Sequence, residues 1–188
     1  MTVLTREQVR VSRRISMVLR HRPETAGLTL DANGWVPVAD LLAALRLSRA
    51  ELDVIVEGND KSRFAVARRD DGAEWIRASQ GHSRRVAVDL DLPPVRPPAV
   101  LFHGTPEENV SSIRRDGLRP RSRHHVHLST DVPTALVVGR RRSAAVAIFE
   151  VDSGAMNDDG HEFYRSENGV WLAVTVPPQY LSLKRTNP

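Results

Sequence analysis

The chain has 188 residues, 40% of them hydrophobic, and its 27 lysines and arginines outnumber its 23 aspartates and glutamates to leave a formal charge of +4. Without cysteine it has no disulfides, no thiolate nucleophile and no cysteine-based zinc site. No apolar run approaches the roughly 20 residues that cross a bilayer, and residues 1–8 lack a signal-type apolar core, so a cytoplasmic protein with no membrane partner is expected.

Lysine occurs only at Lys61 and Lys184, so the basic set is almost wholly arginine. The planar guanidinium fork pairs with phosphate through two parallel hydrogen bonds, which suits a nucleic-acid or phosphate enzyme. A GC-rich genome enriches arginine equally, and +4 is a weak electrostatic footprint. Composition alone leaves both readings open.

In chain order, Thr5-Arg6-Glu7-Gln8 matches a capping box, and Val11, Ile15, Val18 and Leu19 recur at helical spacing. Pro23 disfavours helical geometry in the residue before it, so this helix should end near Arg22. Short extended pieces follow at 28–30 and 35–38 around a turn at Asn33-Gly34. Helices are expected over 39–46 and 48–57, the second opened by Ser48 and Glu51 and closed at Gly58. A hairpin should pair 63–67 with 74–77 across Asp70-Asp71-Gly72. Helices followed by a hairpin suggest a winged-helix module.

Residues 91–98 hold four prolines, a stiff connector that reads as a domain boundary. Two domains are therefore expected, 1–92 and 99–188. In the second, strands are expected at 100–103, 125–129, 145–151, around 163–164 and at 170–176, with helices at 107–115 and 133–140. The fold class is α+β. Neither a Rossmann glycine fingerprint nor a phosphate-binding P-loop is present.

Four of the seven histidines fall in Phe102-His103-Gly104-Thr105 and in Arg123-His124-His125-Val126-His127-Leu128-Ser129. On a strand, His125 and His127 share one face and His124 takes the other, so one face can line a pocket. A neutral imidazole both donates and accepts hydrogen bonds without fixed charge, which suits the ribose and amide of a nucleotide cofactor. A metal site is disfavoured, because the usual zinc spacings are missing and no carboxylate lies near in sequence. Taken singly, other candidates have plainer explanations. Arg20 and His21 sit at a helix C-terminus, where the dipole favours cations, Arg63 reads as an exposed strand residue, and Trp35, Trp75 and Trp171 read as core. Arg140-Arg141-Arg142 reads as a solvated helix end or as a further contact to an RNA backbone.

Motifs in a fixed order carry a resemblance. They are Leu19-Arg20-His21, Leu30-Asp31-x-x-Gly34-Trp35-Val36, Asn59-Asp60-Lys61-x-Arg63-Phe64, Gln80-Gly81-His82-Ser83, His103-Gly104-Thr105, Ser122-Arg123-x-His125-Val126-His127-Leu128-Ser129 and Asn168-Gly169-Val170-Trp171-Leu172. From Ser12 to Leu181 the chain resembles the NAD-dependent RNA 2′-phosphotransferases of the KptA type. His124 departs from the pattern, which carries asparagine there.

The resemblance implies an N-terminal winged-helix lobe that binds RNA and a C-terminal ADP-ribosyltransferase-like lobe that binds NAD. It places a catalytic tetrad at Arg20, His21, Arg63 and Arg123, and the cofactor contacts at His103, Gly104, Thr105, His127, Leu128, Ser129 and Val170. NAD is the implied co-substrate, no metal is implied, and the partner is an RNA bearing a 2′-phosphate, as tRNA splicing or RNA repair produces. A monomer is expected. In the implied chemistry the 2′-phosphate displaces nicotinamide from C1″, giving ADP-ribosylated RNA. Transesterification then yields 2′-hydroxyl RNA and ADP-ribose 1″,2″-cyclic phosphate. Two other readings remain: a transferase that caps terminal phosphates of RNA or DNA and stops after the first step, and a winged-helix binder whose second lobe is inactive.

Overall fold

The computed structural model describes residues 4–58 and 62–184, and packing divides the chain into Met1–Asp91 and Leu92–Pro188. In the first unit, helix α1 (Arg6–Arg20) starts at a complete capping box, Gln8 N–H donating to Thr5 Oγ1 and Thr5 N–H to Gln8 Oε1. It ends two residues sooner than Pro23 alone suggested. The N–H groups of His21 and Arg22 both close on the Met17 carbonyl, and Pro23 opens a separate short turn over Pro23–Ala26.

The chain then runs through strand β1 (Val36–Pro37), helices α2 (Val38–Leu45) and α3 (Arg49–Glu57), and the hairpin of β2 (Phe64–Arg68) with β3 (Glu74–Ala78). Ser48 caps α3 with Glu51 in the expected reciprocal pair. The segment 28–30 is not a strand, and of 35–38 only Val36 and Pro37 pair, antiparallel with Ile76 and Trp75. β3 is thus the centre of a three-stranded sheet in the order β1-β3-β2. Ile15, Leu19, Leu41, Leu52, Ile55 and Ile76 are fully buried where the helices cover this sheet. Burial of such aliphatic side chains, at about 1.5–3 kcal/mol each, is what holds short helices that would not persist alone.

The second unit is mixed helix and antiparallel sheet. Strand β4 (Val100–Pro106) leads through a single 3₁₀ turn into α4 (Val110–Asp116), so the expected helix at 107–115 is divided in two. Then come β5 (Val126–Leu128), α5 (Val132–Gly139), β6 (Val146–Asp152), α6 (Ser153–Asp158), β7 (Phe163–Arg165), β8 (Trp171–Ala173) and β9 (Leu181–Lys184). Two three-stranded sheets result, β4-β6-β9 and β5-β8-β7. Paired 2.8 Å hydrogen bonds between the backbones of Phe102 and Ser129 bridge the β4 and β5 edges.

Three differences from expectation have physical causes. The proline segment is not a bare connector: Val95 N–H donates to the Phe163 carbonyl at 2.8 Å, docking it on β7, so the second unit starts at Leu92 rather than 99. The apolar run 170–176 is not one strand, because its partners β5 and β7 each offer three residues, and Val176 pairs with Leu118 instead. That close approach requires Gly117, where an added Cβ would lie 2.2 Å from the Val176 carbonyl oxygen. Helix α6 and strand β9 had no expectation attached. No described helix is long and apolar enough to cross a membrane.

Candidate active site

Thr5 starts α1 and the Met17 carbonyl stops it, which leaves Arg20 on the last turn and His21 at the cap, both half-buried. Arg63 stands one residue before β2, not within it. Its carbonyl oxygen accepts from Ser79 N–H at 2.9 Å and from Arg20 Nη2 at 3.4 Å, tying the tetrad candidates Arg20 and Arg63 together through the sheet edge. The loop 80–83 closes over the same place. Ser83 N–H donates to the Arg20 carbonyl at 2.9 Å, and Gly81, at φ +89°, lies against the Arg20 side chain. Asn59, Asp60 and Lys61 of the same motif lie outside the described residues.

The tryptophans of this unit are covered by its own arginines. Arg69 lies 3.6 Å over the Trp75 ring and Arg77 4.6 Å over Trp35, geometry that employs the rings as intramolecular cation–π partners.

In the second unit, β4, β5, α4 and α5 enclose a cleft of about 450 Å³ walled by His103, Gly104, Thr105, His125, His127 and Arg123, among others. Such a volume lies within the range of small-molecule sites. His125, just before β5, and Val126 and His127 of β5 line it, and His124 does not.

His103 is fixed by one contact. Its Nδ1 lies 3.0 Å from the His127 carbonyl oxygen, and since a carbonyl only accepts, Nδ1 must carry the proton. Burial lowers its pKa, against the smaller upward effect of that hydrogen bond, so the ring is neutral at pH 7 and Nε2 is left as an acceptor. A sugar hydroxyl is the complementary donor.

Gly104 is demanded by packing. A Cβ there would stand 1.9 Å from the Ala135 carbonyl oxygen, so only glycine lets α5 lie directly on β4 and shape one wall of the cleft. Thr105 is buried, and its Oγ1 accepts from Asn109 Nδ2 at 3.2 Å.

Three other candidates do not line the cleft. Leu128 is in the core at 1% exposure, Ser129 spends its backbone on the bridge to Phe102, and Val170 is held in a turn by Ser166, whose Oγ accepts from Val170 N–H at 3.1 Å. Arg123 does line it. Burial first, and then the charges of Arg142 and Arg141, push its guanidinium pKa below the ordinary value.

Those last two arginines line the cleft as well; the sequence offered Arg140-Arg141-Arg142 as a solvated helix end or an RNA-backbone contact without joining them to the histidine motif. Arg119, Arg121 and Asn109 likewise line the cleft. The recurrence of Arg119, Arg121 and Arg123 in one short segment was the available signal, and that segment is a turn whose residues 119–123 all line the cleft. Among the described residues no cluster of three or more histidine, aspartate or glutamate side chains is placed to hold a metal.

The sequence of this chain matches a family model described as RNA 2′-phosphotransferase, Tpt1 / KptA family, over residues 6–175. It is 53% identical to a probable RNA 2′-phosphotransferase of Streptomyces griseus, over 95% of this chain and 98% of that protein. Similar proteins, also named probable RNA 2′-phosphotransferases, occur in Rhizobium leguminosarum, 52% identical over 93% of this chain and 94% of that one, and in Trichormus variabilis, 49% identical over 94% and 96%.

Proposed function

The chain belongs to the RNA 2′-phosphotransferase, Tpt1 / KptA family, and from that premise we propose that it transfers an internal RNA 2′-phosphate to NAD. The observation that carries the NAD assignment is the cleft of the second unit, where a pinned, neutral His103 and the phosphate-binding type of side chain, Arg123, share one set of walls. The donor set fits a dinucleotide. His103 Nε2 suits a ribose hydroxyl, while Thr105 and His127 add polar groups beside the close-packed Gly104. Leu128, paired with Trp171 of β8, and Ser129, at the bridge to β4, support the cleft from behind, while Val170 lies in the turn before β8.

The two lobes are read accordingly. In the first, the order helix, strand, helix, helix, strand, strand, with β1 joined to the hairpin through β3, supports a winged-helix RNA-binding lobe. In the second, two antiparallel sheets bridged between the histidine-bearing strands β4 and β5 support an ADP-ribosyltransferase-like lobe.

NAD supplies the C1″ position that accepts the phosphate, and nicotinamide leaves. The protein's task is to hold the phosphate. A phosphate monoester with a second pKa near 6 is already mostly a dianion at neutral pH, so it needs orienting rather than a general base. The phosphate-handling groups are Arg20, Arg63 and Arg123, whose guanidinium forks bind phosphate oxygens bidentately and stabilise the charge that builds on phosphorus in the second step. His21 is placed in the role of proton donor to the departing RNA oxygen. The route runs through ADP-ribosylated RNA, and its products are 2′-hydroxyl RNA, nicotinamide and ADP-ribose 1″,2″-cyclic phosphate.

The test is co-substrate dependence. An RNA with one internal 2′-phosphate should lose it on incubation with the protein and NAD, and keep it when NAD is withheld. Loss without NAD, or no loss at high enzyme concentration with it, contradicts the reading.

A further inference from the structure

Five arginines of the second unit line its cleft. Arg119, Arg121 and Arg123 reach it from the loop after α4, Arg141 and Arg142 reach it from the turn after α5, and Asp116 is the one carboxylate along it among the described residues. Asp116 is already paired with Arg115 at 2.8 Å, so it neutralises little within the cleft. Arg121 is held by Asn109, its Nη2 donating to Oδ1 at 2.6 Å, and a neutral partner positions the guanidinium while leaving its charge intact. Among the described residues neither Arg141 nor Arg142 forms an ion pair. Both backbones are fixed, Arg141 N–H on the Val138 carbonyl at 3.3 Å and Arg142 N–H on that of Gly139 at 3.1 Å. Arg140, the first of the triplet, does not line the cleft.

Five guanidinium groups against one carboxylate, four of them exposed, make a strongly positive wall that attracts anions. The like charges of Arg141 and Arg142 already act on Arg123. A pyrophosphate and a 2′-phosphate dianion bring about four negative charges between them. A single-stranded nucleic acid brings one charge per nucleotide and can run along several arginines.

We infer that Arg141 and Arg142, with Arg119 and Arg121, form a polyanion subsite that holds backbone phosphates of the RNA strand flanking the 2′-phosphorylated nucleotide. The assignment of RNA as occupant rests on the proposed function. The subsite adds to it a means of favouring internal phosphates on a longer strand over short or isolated ones.

The experiment uses the full chain and a fluorescently labelled single-stranded RNA of about twelve nucleotides, within the span such grooves cover, without a 2′-phosphate. Affinity is read by anisotropy from about 50 to about 200 mM salt. The R141A/R142A double variant should bind several-fold more weakly, with a log–log salt slope reduced by about 1.4, two contacts at about 0.7 each. R141K/R142K should recover the slope, because charge rather than shape sets it. NAD affinity, measured in parallel by equilibrium binding, should fall by less than RNA affinity. An unaltered RNA slope would overturn the inference, leaving a solvated helix end, and a loss confined to NAD would assign the arginines to the pyrophosphate instead. No turnover is involved, so the result stands apart from whether phosphate transfer occurs. Unchanged melting temperatures would confirm that each variant is folded.

Discussion

His103 Nδ1 donates to the carbonyl oxygen of His127 across 3.0 Å, joining β4 to β5 by a side chain where the backbone ladder has only the neighbouring bridge at Phe102 and Ser129. The contact fixes the tautomer and turns Nε2 outward as an acceptor. It also has a pH signature.

The His103 pKa is lowered below its ordinary value of about 6.5, mainly by burial. Between the folded and unfolded pKa values the unfolded chain binds more protons, so stability rises with pH through that window. The contribution is complete above about pH 6.5 and is lost as pH falls toward the lower folded value. Urea unfolding at pH 8 and at pH 5.5 should therefore show a loss of stability on acidification that is smaller in His103→Gln. That variant should also raise KM for NAD roughly tenfold, the worth of about 1.4 kcal/mol. An identical pH slope in both proteins would remove His103 as the cause.

Gly104 and Gly72 should respond differently to the same substitution. At Gly104 the added methyl meets the Ala135 carbonyl oxygen at 1.9 Å and α5 must move, whereas Gly72 has φ +77° and open space around it. Gly104→Ala is expected to cost about 3 kcal/mol by overpacking, and Gly72→Ala about 1 kcal/mol of backbone strain. Chemical denaturation orders the two, and equal losses would refute the packing argument.

Arg63→Ala should separate catalysis from folding. The Ser79 and Arg20 contacts go to the Arg63 carbonyl oxygen, which the substitution keeps. Turnover of 2′-phosphorylated RNA should fall about 10²–10³-fold with little change in melting temperature. Arg63→Lys should recover little, because a point charge does not reproduce a two-pronged phosphate contact. Full activity in either variant would remove Arg63 from the phosphate site.

The α3 cap gives a purely structural prediction. Ser48 Oγ accepts from Glu51 N–H at 3.2 Å while Glu51 Oε2 accepts from Ser48 N–H at 2.8 Å. Ser48→Ala should destabilise the protein by about 1 kcal/mol in denaturant titration, and an unchanged midpoint would show that α3 is held by packing alone.

What the sequence revealed was mostly what is local. Capping at Thr5 and Ser48 and the hairpin turn at Asp70-Asp71-Gly72 each depend on residues within four positions of one another, and the structure has both. Long-range competition was not legible. Nothing near Val174–Val176 announces that Val176 will pair with Leu118, or that β8 stops because both neighbours are three residues long. The docking of Val95 on Phe163 is equally remote. At the cleft, the histidines were visible as a motif, but the arginine set was not, because Arg141 and Arg142 join Arg119 to Arg123 only through the packing of α5 on β4, which Gly104 permits.

The central claim is that phosphate leaves RNA by transfer onto NAD in two steps. Supplying NAD labelled in its adenylate phosphate, together with an RNA bearing one internal 2′-phosphate, tests this most directly. The account predicts label in ADP-ribose 1″,2″-cyclic phosphate, with nicotinamide and 2′-hydroxyl RNA formed in equal amounts. Label that stays on the RNA, or phosphate released as the free inorganic ion, would contradict it.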